Sequence, residues 1–245
     1  GGTSAAARNI ISGNTSTQLV SLGKAVIEGN YIGPLKNGSL GPAATYGVGL
    51  YSNDNVVGGI GSSSTNLIAG NQTGVAVVST LLGIPLGNSI LNNQIYANTL
   101  AAIDLAADTD FNFIPDADLG LNTNDAGDGD TGSNYYLNSA VITSASYVGS
   151  AVSVEFNLDV ADSVTGLYKV EFFANDSASE NGGKTYLGFA STTAGAHSSG
   201  GTLMAPDGYD LAGKYLTTTV TQITNEGEAI FSSTSEFSSP FLLTV

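Results

Sequence analysis

Eight acidic residues lie between Asp104 and Asp130 with no Lys or Arg among them: Asp104, Asp108, Asp110, Asp116, Asp118, Asp125, Asp128 and Asp130. The run from Asp108 through Asp110, Asn112, Asp116 and Asp118 sets oxygen-bearing side chains at alternate positions, as loops that wrap calcium do. Asn122-Thr123-Asn124-Asp125-Ala126-Gly127-Asp128-Gly129-Asp130 forms a second such loop, with glycines that let the backbone turn around an ion. Carboxylates packed this closely repel one another unless a cation neutralises them. The expected cofactor is structural calcium. Its ligand candidates are Asp108, Asp110, Asn112, Asp116, Asp118, Asn124, Asp125, Asp128 and Asp130. The plainer alternative is a solvated acidic loop whose Asp and Asn residues only form local turns.

Catalytic chemistry finds less to work with. Glycoside hydrolysis needs two carboxyl groups roughly 5–10 Å apart. The first 107 residues offer only Glu28, Asp54 and Asp104, 26 and 50 positions apart. Asp104 lies between Ile103 and Leu105, so strand alternation should turn it outward, which suits a corner or calcium-side carboxylate better than an acid catalyst. His197, the single histidine, falls in Ala194-Gly195-Ala196-His197-Ser198-Ser199-Gly200, which reads as a flexible loop without an acid or nucleophile beside it. With no cysteine and a single histidine in the chain, cysteine nucleophiles and His-based zinc sites are excluded. No catalytic or cofactor-binding residue is therefore assigned. Tyr31, Tyr46, Tyr51 and Tyr96 would stack on a sugar only if they line one wall. Asn14, Asn37, Asn71 and Asn175 each open a glycosylation sequon, a pattern that an Asn-rich chain produces easily by chance.

The elements that hold these residues are repeats. Asn66 and Asn93, Asn71 and Asn98, and Gly74 and Ala101 are each 27 positions apart, and Gly47 lies 27 before Gly74. A fixed period of this size means stacked supersecondary units. Each unit holds short β-type runs such as Leu67-Ile68 and Val75-Ala76-Val77, separated by Asn and Gly. The runs are too short for helices and lack helical spacing. Asn and Gly tolerate the left-handed backbone of a sharp corner, and an Asn repeated at one corner can bond to the corners above and below. A right-handed parallel β-helix fits, with about four coils over residues 1–107. A leucine-rich repeat would need a Leu-rich frame and a helical side, and neither is present.

Residues 108–138 form the acidic junction. Beyond them, residues 139–245 alternate differently. Val152, Val154, Phe156 and Leu158 share one strand face, and Lys169 and Glu171 are expected to point outward from Tyr168–Phe172. About seven short strands with turn residues between them indicate an Ig-like antiparallel β-sandwich. The fold class expected is thus all-β.

Net charge is −15, from 6 Lys and Arg against 21 Asp and Glu, so nucleic acid and anionic membrane are poor partners. Only 11% of residues are charged, a low-charge polar surface common in secreted β-proteins. No apolar run is long enough to span a bilayer, so no membrane insertion is expected. The chain opens Gly1-Gly2-Thr3 with no signal peptide and no capping helix before the first coil, an opening that looks trimmed from something longer. An uncapped coil exposes strand edges, and either further coils or another subunit is expected to cover them.

Ala7–Asn14, Ile27–Gly33 and Asn53–Gly59 resemble the pectate-lyase-like β-helix repeats of large bacterial and archaeal surface proteins. Asn88–Tyr96 followed by Ala102–Leu105 resembles the last coil of such an array, and Asn124–Gly132 is similar to the segment that follows it. Val170–Asn175, Lys184–Gly188 and Ser235–Ser238 resemble the sandwich that comes next in those proteins. The Asp108–Asp118 run resembles the calcium repeats of thrombospondin type 3, with Phe113 where that pattern carries Gly. Lyase chemistry in the resembling fold uses Arg or Lys to abstract a proton beside calcium, and these coils hold only Arg8, Lys24 and Lys36. The expectation is a non-catalytic extracellular or cell-surface module, structural or adhesive, or a self-assembling fibre subunit. Its partners would be a second copy or neighbouring domains at the open N-terminal coil, and glycan. The alternative is a β-helix protein that binds or degrades polysaccharide.

Overall fold

The computed structural model describes residues 1–108, 121–160, 166–195, 197–225 and 230–245. Four of the nine named candidate ligands, Asp110, Asn112, Asp116 and Asp118, lie outside the described residues, as does the side chain of Asp108.

The first part is a parallel β-solenoid. Its three walls are stacked sheets. One holds β1 (Ile10–Ile11), β4 (Tyr31–Ile32), β7 (Leu67–Ala69) and β10 (Gln94–Tyr96). The second holds β2 (Thr17–Ser21), β5 (Tyr46–Leu50), β8 (Thr73–Thr80) and β11 (Ala101–Asp108). The third holds β3 (Val26–Ile27), β6 (Val56–Gly58) and β9 (Ser89–Leu91). These make three complete turns and two strands of a fourth, where the repeat suggested about four coils. Inward positions fill the bore with aliphatic side chains, among them Ile32, Val48, Leu50, Val57, Ile68, Val75, Val77 and Ile103.

The period is looser than the sequence comparison implied. Leu67 pairs with Gln94 at 27 residues, but Tyr31 pairs with Leu67 at 36 and Ile10 with Tyr31 at 21. After Asn98 one extra residue enters the corner, so Ala101 pairs with Thr73 and Ile103 with Val75, a spacing of 28 rather than 27. Corners absorb insertions because they lie outside the ladder of strand hydrogen bonds, while the walls must stay in register to keep one face in the bore.

What stays constant at the corners is asparagine. Asn66 Oδ1 accepts the backbone N–H of Asn30 (2.9 Å) and its Nδ2 (3.1 Å), and Asn66 Nδ2 donates to Ile27 O (2.7 Å) and Asn93 Oδ1 (2.9 Å). Asn9 joins the same column through Asn30 Oδ1 (3.0 Å). A second column runs from Asn55 to Asn88, whose Oδ1 accepts Asn55 N (3.1 Å) and Nδ2 (2.8 Å). A third links Asn71 to Asn98. Each ladder satisfies corner amides that could not otherwise reach a partner. Gly58 shows why the adjoining corner position must be small: its φ is +81°, and a Cβ there would strike the Leu91 carbonyl. Replacing Asn66 by Ala leaves several buried groups without partners and should cost about 2 kcal/mol, measured as a lower urea midpoint. A variant within error of wild type would show that the columns are passive.

The second part is a β-sandwich. β12 (Val141–Val148), β13 (Ala151–Leu158) and β16 (His197–Met204) form one antiparallel sheet. The other sheet runs β15 (Thr185–Thr193), β14 (Leu167–Asn175), β17 (Tyr215–Asn225), β18 (Ile230–Thr234), with β19 (Phe241–Leu242) also on β17. Val152, Val154, Phe156 and Leu158 meet Tyr168, Val170 and Phe172 between the sheets, with the Phe156 and Phe172 rings 5.6 Å apart. His197 does not lie in a loop; it begins β16. That strand escapes pattern reading because it is a mostly exposed edge that pairs with β13 through its backbone and sends only Leu203 into the core.

Candidate functional site

Two features of the described residues carry chemistry: the seam between solenoid and sandwich, and the acidic turn beside it.

A solenoid's last coil leaves N–H groups facing out of the stack, and here the later chain supplies an acceptor for six of them. Ser233 Oγ accepts Gly87 N (3.1 Å), Asn134 Oδ1 accepts Asn88 N (3.0 Å) and Thr234 Oγ1 accepts Ile90 N (2.9 Å). Glu171 Oε2 accepts Asn92 N (2.9 Å), the Gly183 carbonyl accepts Ile95 N (2.9 Å) and Glu236 Oε1 accepts Leu105 N (2.8 Å). Asn134 stands where the next rung of the Asn55–Asn88 column would be. It comes from a short 3-10 turn, Ser133–Tyr136, and is held there in a left-handed conformation with φ 47°. Phe173 and Phe237 join the solenoid core from the sandwich side, their rings 5.3 Å apart and edge-on.

Lys169 and Glu171, expected to face solvent, are 4% and 0% exposed. They do point away from the sandwich core, as alternation requires, but the last coil covers that face. Lys169 Nζ donates to Glu171 Oε1 at 2.6 Å and lies 4.8 Å from the centre of the Phe189 ring. Burial, and then the neighbouring Glu171 carboxylate, push the Tyr186 hydroxyl far above its ordinary pKa, so it stays protonated. Asp104 behaves in the same way, outward as alternation predicts but covered. Its neighbours Ile103 and Leu105 enter the bore, so it faces the outer side of its wall, in register with Ala76 and Gly49, yet it is only 1% exposed.

The acidic turn gathers one carboxylate oxygen from each of Asp125, Asp128 and Asp130 within 4.8 Å of one another. Consecutive left-handed residues, Gly127 (φ 72°) and Asp128 (φ 54°), fold the chain back so that Gly129 N donates to Asp125 Oδ2 (3.0 Å). Asn138, which pattern reading passed over, is the clamp. Its N–H donates to Asp128 Oδ1 (2.8 Å), its Oδ1 accepts Asp125 N (3.0 Å), and its Nδ2 donates to the carbonyls of Asp125 (2.8 Å) and Asp159 (2.7 Å). Its only sequence signal was an Asn at the end of an Asp- and Gly-rich loop. Asn124 is engaged by Ser139, donating to Ser139 O (2.7 Å) and accepting Ser139 N (3.0 Å).

Burial first, then the carboxylates of Asp130, Asp125 and Asp159, push Asp128 from 3.8 up to about 6, against the lowering effect of the Asn138 N–H. Asp130 is raised by burial and by Asp125. A small cavity of about 170 Å³ opens beside the pair, lined by Tyr135, Tyr168, Gln222 and Ser233.

The residues weighed for catalysis are placed separately. Arg8 stacks on the Tyr31 ring at 4.2 Å and donates to Gly29 O (3.4 Å). His197 contacts Thr192 Oγ1 through Nε2 (2.6 Å) and Gly195 O through Nδ1 (2.8 Å). Among the described residues no helix is long and apolar enough to cross a membrane. The fold thus defines a class, a β-solenoid closed at one end by an antiparallel β-sandwich. No protein-family model and no curated protein sequence matches the chain.

Proposed function

We propose that this chain is a non-catalytic structural or adhesive module of an extracellular surface protein or fibre, an Ig-like sandwich locked onto a β-helix and braced by calcium. The seam carries this reading. Six acceptors and two aromatic plugs, Phe173 and Phe237, fasten the sandwich, which keeps its own core, onto the solenoid core, an arrangement suited to transmitting force.

The calcium reading rests on donor chemistry. Three half-buried carboxylates gathered in one turn, with Asp128 and Asp130 holding their protons more tightly through burial and the neighbouring carboxylates, suit a hard divalent cation, which would relieve both costs. Asp125, Asp128 and Asp130 would hold it, and it would supply charge neutralisation at the junction.

The partner at the first coil would be a second copy of this chain or neighbouring domains of a longer one. β1, β2 and β3 each lie at a sheet edge, and Ile10, Val20 and Val26 there are exposed. Arg8, Lys24 and Lys36 balance Glu28, Asp54 and Asp104 over residues 1–107, so the whole net charge of −15 falls on residues 108–245. Two sandwiches repel one another, whereas two solenoid ends do not. Negative-stain microscopy and sedimentation of the natively purified protein in calcium should show end-joined particles. A chain that stays monomeric at high concentration in calcium, and binds no surface or glycan, would overturn the proposal.

A further inference from the structure

The chain contains two Asn-Gly dipeptides, Asn37-Gly38 and Asn181-Gly182, and the fold treats them oppositely. We infer that Asn37 is a site of spontaneous covalent modification, a self-deamidating asparagine whose reaction is promoted by Ser39, and that Asn181 is protected.

Asn37 is exposed on the turn between Pro34 and Leu40, which bridge to each other. Its Oδ1 accepts two hydrogen bonds from one residue, Ser39 N (3.1 Å) and Ser39 Oγ (2.7 Å). Both donors withdraw electron density from Cγ and sit where negative charge develops if a nucleophile adds there. The nucleophile is the next backbone nitrogen. Gly38 has no side chain to crowd the approach, and open space surrounds its α-carbon. Its N–H donates to Leu35 O (2.9 Å), a single bond on an exposed turn that opens before hydroxide removes the proton.

The nitrogen then bonds to Asn37 Cγ, and Oδ1 takes up the negative charge between the two Ser39 donors. Collapse breaks the Cγ–Nδ2 bond, and Nδ2 leaves as ammonia after taking a proton from water. Water opens the resulting cyclic imide at either carbonyl, giving aspartate or isoaspartate. Asparagine and water have become an acid and ammonia, with no redox partner. The product places a carboxylate on the otherwise charge-balanced solenoid, and in the isoaspartate form lengthens the turn backbone by one carbon.

Asn181 has the same sequence chemistry but is tied into the seam. Its Nδ2 donates to Leu100 O (2.7 Å), and the Gly182 carbonyl accepts Asn175 Nδ2 (2.8 Å) and Thr217 Oγ1 (2.6 Å). Gly182 also packs against the Ile95 carbonyl, so the backbone rotation that imide closure needs is blocked. The sequons divide in the same sense: Asn71 and Asn175 are fully buried, while Asn14 and Asn37 are exposed.

The test is timed peptide mapping by mass spectrometry after incubating the folded protein in mildly alkaline buffer, with an isoaspartate-specific methyl-acceptor assay alongside. Asn37 should lose ammonia at least about tenfold faster than Asn181, a difference of about 1.4 kcal/mol in barrier. Ser39→Ala should slow Asn37 several-fold, and Ser39→Thr, which keeps both donors, should restore the rate. Asn181 in the same sample reports folding, because an unfolded variant would release ammonia there too. Equal rates at the two sites, or a Ser39→Ala rate unchanged from wild type, would overturn the inference.

Discussion

Replacing Glu171 by alanine should cost about 3–5 kcal/mol of unfolding free energy, because it strands a buried lysine charge and an amide of the last coil. Glu171 is fully buried, takes Lys169 on one oxygen and Asn92 N–H on the other, and has no route to water. The double variant Lys169→Met/Glu171→Leu removes both charges and should recover most of the loss. It would remain below wild type by about 1–3 kcal/mol, the cost of the unmet Asn92 N–H. Urea unfolding followed by near-ultraviolet dichroism reads both. A single variant within about 1 kcal/mol of wild type would mean that the seam is not a cooperative part of the fold.

Calcium should stabilise the protein at neutral pH, and the size of the effect should depend on Asp128. A carboxyl whose folded pKa is raised favours the folded state while protonated. Its contribution is fully present below the ordinary value of 3.8 and disappears as pH rises through about 6. In cation-free buffer the stability difference between wild type and Asp128→Asn should therefore shift against wild type between pH 4 and 6 and level off above. Added calcium reverses the deficit at pH 7, by about 2.7 kcal/mol at a hundredfold excess over its dissociation constant. The same ion should lose its grip below pH 6, where it must displace a proton. Identical pH–stability curves with and without calcium would remove the ion from the junction.

How much of this could be read from the residues differs from element to element. The asparagines at the 27-residue spacing identified the solenoid and its corner ladders because a stack imposes the same local environment on every coil. The strict alternation of Val152 to Leu158 identified β13 because one of its faces meets a core and the other meets solvent. Alternation was right for β14 as well, yet it misjudged exposure, since both faces of that strand are covered. Edge strand β16, with its polar and glycine residues, left no pattern, and its pairing with β13 is a backbone property. Asp125, Asp128 and Asp130 were marked by their spacing, but Asn138, which orients two of them, was not.

Local chemistry along the chain is enough to specify an all-β solenoid, its corner residues and a concentration of carboxylates after its last coil. Those features repeat or cluster within short stretches, where backbone preference and alternation act directly. The closure of the solenoid is different in kind. Gly87, Asn88, Ile90, Asn92 and Leu105 find their acceptors on Ser233, Asn134, Thr234, Glu171 and Glu236, between 46 and 146 residues later in the chain. Nothing local distinguishes a glutamate that will cap a buried amide from one that will face water. Docking of one folded part against the other makes that distinction, by excluding solvent from a strand face whose sequence reads as exposed.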